Sequence, residues 1–298
     1  MSRVGLVILV LAAVLLPSGP ARAEEPPYVG WTQLLPGLTT QYEPSSENDC
    51  AAGRPRCIDA VIREMTRRFD RLAPTCDHDA IFSLAYLRTT EEFRRALDDT
   101  TFFEDPGFVV HEGAIFADYY FRAYDAWHAG RPAPPAWGIA FDAAADRAVS
   151  AMGNALLGMN AHIQRDLPFV FERIGMVKPD GSSRKPDHDR VNQFLNRVSD
   201  DLYPEVVRRF DPTFDDTDVR GTTADDFLSF QAIPAWRETA WRNAERLVSA
   251  PTPAARALVA ESIEQYAASQ AQAIRLATAY GPLQSSAARD AYCAVHHG

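Results

Sequence analysis

Two groups of residues in this chain have the types and spacing to do chemistry. His162 and Asp166 stand four apart in the run Gly158-Met159-Asn160-Ala161-His162-Ile163-Gln164-Arg165-Asp166-Leu167-Pro168. On a helix such residues share a face, with Cβ atoms about 6 Å apart. An imidazole and a carboxylate on adjacent turns can grip one metal ion, or bond to each other and order a core. The second group is His111, Asp118 and Asp125, seven residues apart. Seven residues advance a helix by about 700°, so the three form a nearly straight polar stripe. Asp125, near the end of its helix, reads as a solvated position. His111 and Asp118 sit among Val109, Ile115, Phe116, Tyr119 and Phe121 and read as a site. His111, Asp118, His162 and Asp166 are therefore the candidate metal ligands, with zinc the expected ion and a bound water, its pKa lowered, the expected nucleophile.

The remaining histidines read more blandly. His78 lies in Cys76-Asp77-His78-Asp79, where the aspartates can cap a helix. Asp125 and His128 form a D-x-x-H pair. His188 follows Pro186 at a helix start and shares a face with Asn192 and Asn196, while His296 and His297 are terminal. Trp236, Arg237, Trp241 and Arg242 crowd one helix, which reads as tryptophan packing with arginine stems laid along it. Several catalytic signatures are absent: G-x-S-x-G, the P-loop, G-x-G-x-x-G and Glu-x-x-His do not occur. His111-Glu112 is followed by Gly113, Ala114 and Ile115, so it is not H-E-x-x-H.

The elements that must position these residues are helical. Ile58, Val61, Ile62, Met65, Phe69 and Leu72 mark one face of a helix beginning near Cys57 and ended by Pro74. A helix through Ile81–Leu87 follows. Thr89-Thr90-Glu91-Glu92 then predicts a separate short helix to Leu97. Asp105-Pro106-Gly107 predicts a turn before a helix over 108–128. Residues 130–135 read as a rigid linker. Helices are expected near 136–150 and 152–173, where Gly153 and Gly158 leave room for close backbone approach. Further helices are expected near 186–203, with Pro204 kinking or restarting the chain, and near 224–248 and 253–280, with an acidic loop over 211–224. No strand pattern or internal repeat stands out. The expected fold is all-α, a single multi-helix domain over 57–298 with an irregular N-terminal arm over 24–56.

Arg3, the apolar run Val4–Leu16, Pro17 and Ala21-Arg22-Ala23 predict a signal peptide over residues 1–23. The apolar run is short for a membrane span, and no later stretch approaches the length that one needs. The expected location is therefore secreted or extracytoplasmic, without a transmembrane segment after cleavage. Losing Arg3 and Arg22 takes the net charge from −10 to −12. So acidic a chain is a poor partner for a nucleic-acid backbone. The even count of cysteines in an exported chain suggests two disulfides. Cys50, Cys57, Cys76 and Cys293 allow three connectivities, of which Cys50–Cys57 with Cys76–Cys293 is favoured.

The runs Cys57-Ile-Asp-Ala-Val-Ile-Arg-Glu-Met, Cys76-Asp-His-Asp-Ala-Ile-Phe-Ser-Leu-Ala-Tyr-Leu-Arg-Thr-Thr and Gly158-Met-Asn-Ala-His-Ile-Gln-Arg-Asp-Leu-Pro resemble domain-of-unknown-function family 5995. The resemblance covers residues 50–295 and implies a fold unit, but the family carries no established activity to transfer. A weaker likeness joins His162-x-x-x-Asp166 to the helical zinc-dependent phospholipases C and related nucleases. Their second pattern, H-x-x-x-E, does not occur here, and Glu24 rather than a tryptophan is the expected mature N-terminus. The sequence thus supports two expectations. One is a secreted metal-dependent hydrolase, with a phosphoester as the candidate substrate. The other is a non-enzymatic exported helical protein that binds a small molecule or a protein.

Overall fold

The computed structural model describes residues 49, 50, 52–214 and 224–298. The expected signal peptide, nearly all of the N-terminal arm and most of the acidic loop lie outside them. The described residues are all-α, in one compact arrangement of helices with no strand. Val149 with Ala279 and Val177 with Ser183 form isolated bridges only. No helix among them is long and apolar enough to cross a membrane.

Helix α1 (Arg56–Leu72) buries Ile58, Val61, Met65, Phe69 and Leu72 on the face that the periodicity marked. Helix α2 (Ala80–Ala96) runs through the point where a second short helix was expected. The Thr89 and Thr90 hydroxyls donate to the carbonyls of Ala85 and Tyr86 instead of capping a new helix. Inside a helix that bond is always in reach, so a T-T-E-E run does not force a break. Helix α3 (Pro106–His128) starts as expected, with the Asp105 carboxylate accepting from the Phe108 amide at 3.2 Å. Helix α4 (Pro135–Ala145) stops five residues earlier than the pattern suggested. Arg147 turns left-handed at φ 52°, and Val149 joins the bridge to Ala279.

The centre is a rod in three parts: α5 (Ala151–Asn160), a π-helical turn (Ala161–Asp166) and α6 (Leu167–Ile174). Then come α7 (Lys185–Arg190), α8 (Asn192–Arg209), α9 (Ala224–Val248), α10 (Pro253–Thr278) and α11 (Ala287–His296). Pro204 sits inside α8, which continues past it. Sequence patterning did not mark α11 as a helix. The rod touches α2, α3, α4, α9 and α10, so its side chains are enclosed on every flank. Gly158 makes this closeness feasible, because a Cβ there would stand 2.3 Å from Phe82 Cγ. The disulfides are Cys50–Cys57 and Cys76–Cys293.

Candidate functional site

The site begins with a backbone irregularity that Pro168 explains. Proline has no amide to give the carbonyl four residues back, and its ring crowds that carbonyl. The chain widens instead, and the Leu167 amide reaches the His162 carbonyl five residues back. Single π-turns within α-helices often mark functional positions. Asn160 pins this one to α10 by donating to the Ala267 carbonyl at 2.9 Å.

The turn presents His162 and Asp166 to one another. His162 Nδ1 lies 3.0 Å from Asp166 Oδ2, which also accepts from Trp137 Nε1 at 2.9 Å. Arg165 donates to Asp166 Oδ1 at 3.0 Å and to Glu264 at 2.6 Å. Glu264 is partly buried and the rest fully, with Asp166 at 0 % and His162 at 3 % exposure. Phe116 stacks on the imidazole with centroids 3.5 Å apart, and Tyr86 packs edge-on at 4.5 Å. Burial lowers the His162 pKa, outweighing the pull of Asp166, so the ring is neutral at pH 7. Asp166 accepts at Nδ1, which places the single proton there and leaves Nε2 as a bare acceptor. Nε2 has no hydrogen-bond partner.

His162 lines a cavity of about 130 Å³ together with Phe82, Tyr86, Phe116, Glu112 and Arg237. Glu112 and Arg237 are its only charged lining residues among those described. Glu112 lies one turn before Phe116 on the same face of α3. Arg237 comes from α9 and is held by His188 on α7. Its Nη2 donates to His188 Nδ1 at 3.1 Å and to the His188 carbonyl, while His188 Nε2 donates to the Arg237 carbonyl at 3.1 Å. That pattern requires a neutral His188, and burial does push its pKa well down. Arg237 Nε remains without a partner.

Burial raises the Glu112 carboxyl from 4.5 to about 7, with Arg237 pulling it the other way. Between these values the unfolded chain releases its proton first, so Glu112 makes the fold lose stability as pH rises through that window. The full loss is about 3 kcal/mol. Glu112→Gln is therefore expected to match wild type in denaturant unfolding at pH 4 and to exceed it by about 3 kcal/mol at pH 8. An equal difference at both values would show that the carboxyl does not titrate inside this window.

Of the four residues proposed as ligands, the structure joins only His162 and Asp166. His111 and Asp118 are buried on another face of α3, about 140° and 160° around the helix from Phe116. Asp118 is closed off by an ion pair with Arg122. Both Asp166 oxygens already accept from donors, one of them the cationic Arg165. No group of three or more His, Cys, Asp or Glu among the described residues could hold a metal ion. The set therefore does not fit a zinc centre.

His78, far from being only a neighbour of caps, is buried against Asp290 at 2.8 Å and Arg289 at 3.2 Å. Asp79 faces His128 at 3.4 Å, and Asp125 pairs with Arg68. Glu112 and Arg237 escaped the sequence reading because each had a bland explanation. Glu112 belonged to a failed zinc motif, and Arg237 stood beside tryptophans like a surface stem. A signal was present for Glu112, which falls on the apolar face of its helix with Val109 and Phe116.

No curated protein and no solved structure matches the chain. The sequence model of a family of unknown function, DUF5995, matches residues 58–277, which include every residue that lines the cavity. The chain belongs to the DUF5995 family.

Proposed function

We propose that the protein is an acid–base hydrolase that cleaves a carboxylic ester in the His162 cavity without a metal ion. One observation carries this reading. His162 is fixed at Nδ1 by Asp166, has a buried Nε2 without a partner, and lines a cavity that also holds Glu112 and Arg237. A neutral imidazole base, beside an acid whose burial raises its pKa to about 7, supplies the parts that such chemistry needs. His162 Nε2 takes a proton from water as the hydroxide adds to the ester carbonyl carbon. Arg237 faces the negative charge gathered on the carbonyl oxygen. The tetrahedral adduct collapses, the C–O bond to the alcohol breaks, and Glu112 gives its proton to the departing alkoxide. The proton on His162 then restores Glu112 through solvent, and acid and alcohol leave. The apolar lining favours a carboxylic ester over a phosphoester, since a phosphate would be desolvated against one arginine and beside a carboxyl.

The test uses p-nitrophenyl acetate, p-nitrophenyl butyrate and bis-p-nitrophenyl phosphate, each with chelator and with zinc. Wild type is expected to turn over an ester in chelator, and His162→Gln to lose about 10²–10⁴-fold in rate with its melting temperature preserved. No ester turnover by wild type, or full turnover by His162→Gln, would refute the reading. A rate that appears only with zinc would also refute it, because His162 would then be a ligand and not a base.

A further inference from the structure

The His162 cavity does not end at its apolar wall. A second cavity of about 60 Å³ lies between α5 and α8, bordered by Met152, Ala155, Val198, Leu202 and Phe214. The two cavities share Ala85, Thr89, Met159, Leu195 and Ile233, so they abut on opposite sides of the same side chains. Met159 and Leu195 are only partly buried. A methionine in that place is an adaptable partition, being unbranched with three rotatable bonds. Polarity along the pair runs one way. Glu112, Arg237 and His162 line the first cavity, and no charged residue among those described borders the second.

We infer that the two cavities together form an acyl-chain site, in which a fatty acyl group lays its carboxyl end against Arg237, Glu112 and His162 and its tail past Met159 into the space between α5 and α8. The inference rests on the reading of the His162 cavity as a ligand site, and it names the ligand class. A straight chain suits this shape for two reasons. It is narrow enough to pass a single displaced side chain, and most of the surface that its methylenes meet is aliphatic or aromatic. A compact polar molecule would leave the second cavity empty and gain nothing from it. A free fatty acid brings one negative charge, which Arg237 can meet, whereas a diffuse polyanion would crowd Glu112.

The experiment measures binding of butyrate, octanoate and dodecanoate to the full chain by calorimetry, each kept below its micelle concentration. Turnover of p-nitrophenyl esters from acetate to decanoate is followed in parallel. Affinity is expected to rise by up to about fourfold per added methylene until the second cavity is filled, and then to level off. Ser199→Phe, whose new ring would occupy the second cavity from α8, is expected to abolish the gain beyond butyrate while leaving butyrate binding within about twofold. If that variant does not fold, the chain-length series on wild type still decides. Equal affinity for butyrate and dodecanoate, or undiminished length dependence in folded Ser199→Phe, would overturn the inference. The two ideas fail separately. Chain-length-dependent binding without ester turnover removes the hydrolase and keeps the acyl site. Turnover of acetate with no response to length removes the acyl site and keeps the hydrolase.

Discussion

Asp166→Ala is expected to destabilise the protein by about 3–5 kcal/mol, and by the same amount with chelator or with zinc. The change removes a carboxylate at 0 % exposure that three donors share: Trp137 Nε1, His162 Nδ1 and Arg165 Nη1. Arg165 keeps Glu264, but the indole and the imidazole are left buried with nothing to receive them. A carboxylate in an open metal site would behave in the opposite way. Its loss would relieve desolvation in the apo protein and abolish a zinc-induced rise in melting temperature. Thermal melts of both proteins in chelator and in zinc separate the cases, and a zinc shift in wild type that disappears in the variant would restore the metal reading. Asp166→Asn sharpens the test. Arg165 has donors only, so it holds the new amide oxygen in the Oδ1 place and puts the amide nitrogen in the Oδ2 place. That nitrogen donates to His162 Nδ1, the imidazole proton moves to Nε2, and the Trp137 indole, a donor, loses its acceptor. The stability loss should be smaller than for alanine, while ester turnover should fall as far as in His162→Gln, because the free nitrogen is no longer basic.

Why the sequence led to His162 and Asp166 but not to the rest of the site is a matter of how each residue is placed. The pair is local: four residues on one stretch of helix meet whatever the tertiary structure does. Pro168 even marks where the ladder must give way, although the spacing alone does not distinguish a kink from a π-turn. Arg237 is the opposite case. It reaches the cavity only because α7 places His188 against it, and nothing within α9 records that contact. His111 and Asp118 misled for a related reason. A seven-residue stripe shows that they share a face, and burial shows that the face is inside, but neither tells which neighbour it meets. Asp118 is satisfied within α3 itself, by Arg122 one turn beyond it, and Asp125 by Arg68 on α1.

The fold was more legible because periodicity is a local quantity. The apolar face of α1 and both ends of α9 agree with the sequence reading. Errors collected at helix ends, where threonine hydroxyls or a single left-handed residue decide the outcome. At Thr89 and Thr90 the hydroxyls chose the helix carbonyls, and at Arg147 a left-handed turn closed α4 early.

Replacing Cys76 and Cys293 by serine is expected to be the most destabilising change outside the site, at about 5 kcal/mol if α11 stays docked. The bond joins residues 217 apart in sequence, whereas Cys50–Cys57 spans seven. Loop-closure entropy makes the short clasp worth only about 2–3 kcal/mol, so the long staple dominates. What else holds α11 is mostly polar. His78 meets Asp290 at 2.8 Å, Arg289 donates to Asn154 at 2.8 Å, and Arg209 donates to the His297 carbonyl at 2.8 Å. His78 weakens this attachment in acid. Burial, and Arg289 beside it, lower its pKa from 6.5 to about 4 despite Asp290. A freed His78 therefore binds a proton that the docked one refuses, and docking loses free energy as pH falls from about 6.5 toward 4. In wild type the disulfide keeps α11 close through this window. In the double serine variant, α11 should detach before the core melts, so the measured loss at pH 5 falls below the full value, because the native state has itself given up part of its structure. Hydrogen exchange reads this directly: α11 amides should exchange faster than those of α2 in the variant at pH 5, and more nearly alike at pH 7.5. Uniform exchange protection across α2 and α11 at both values would show that the polar contacts suffice and that the staple acts on the unfolded chain alone.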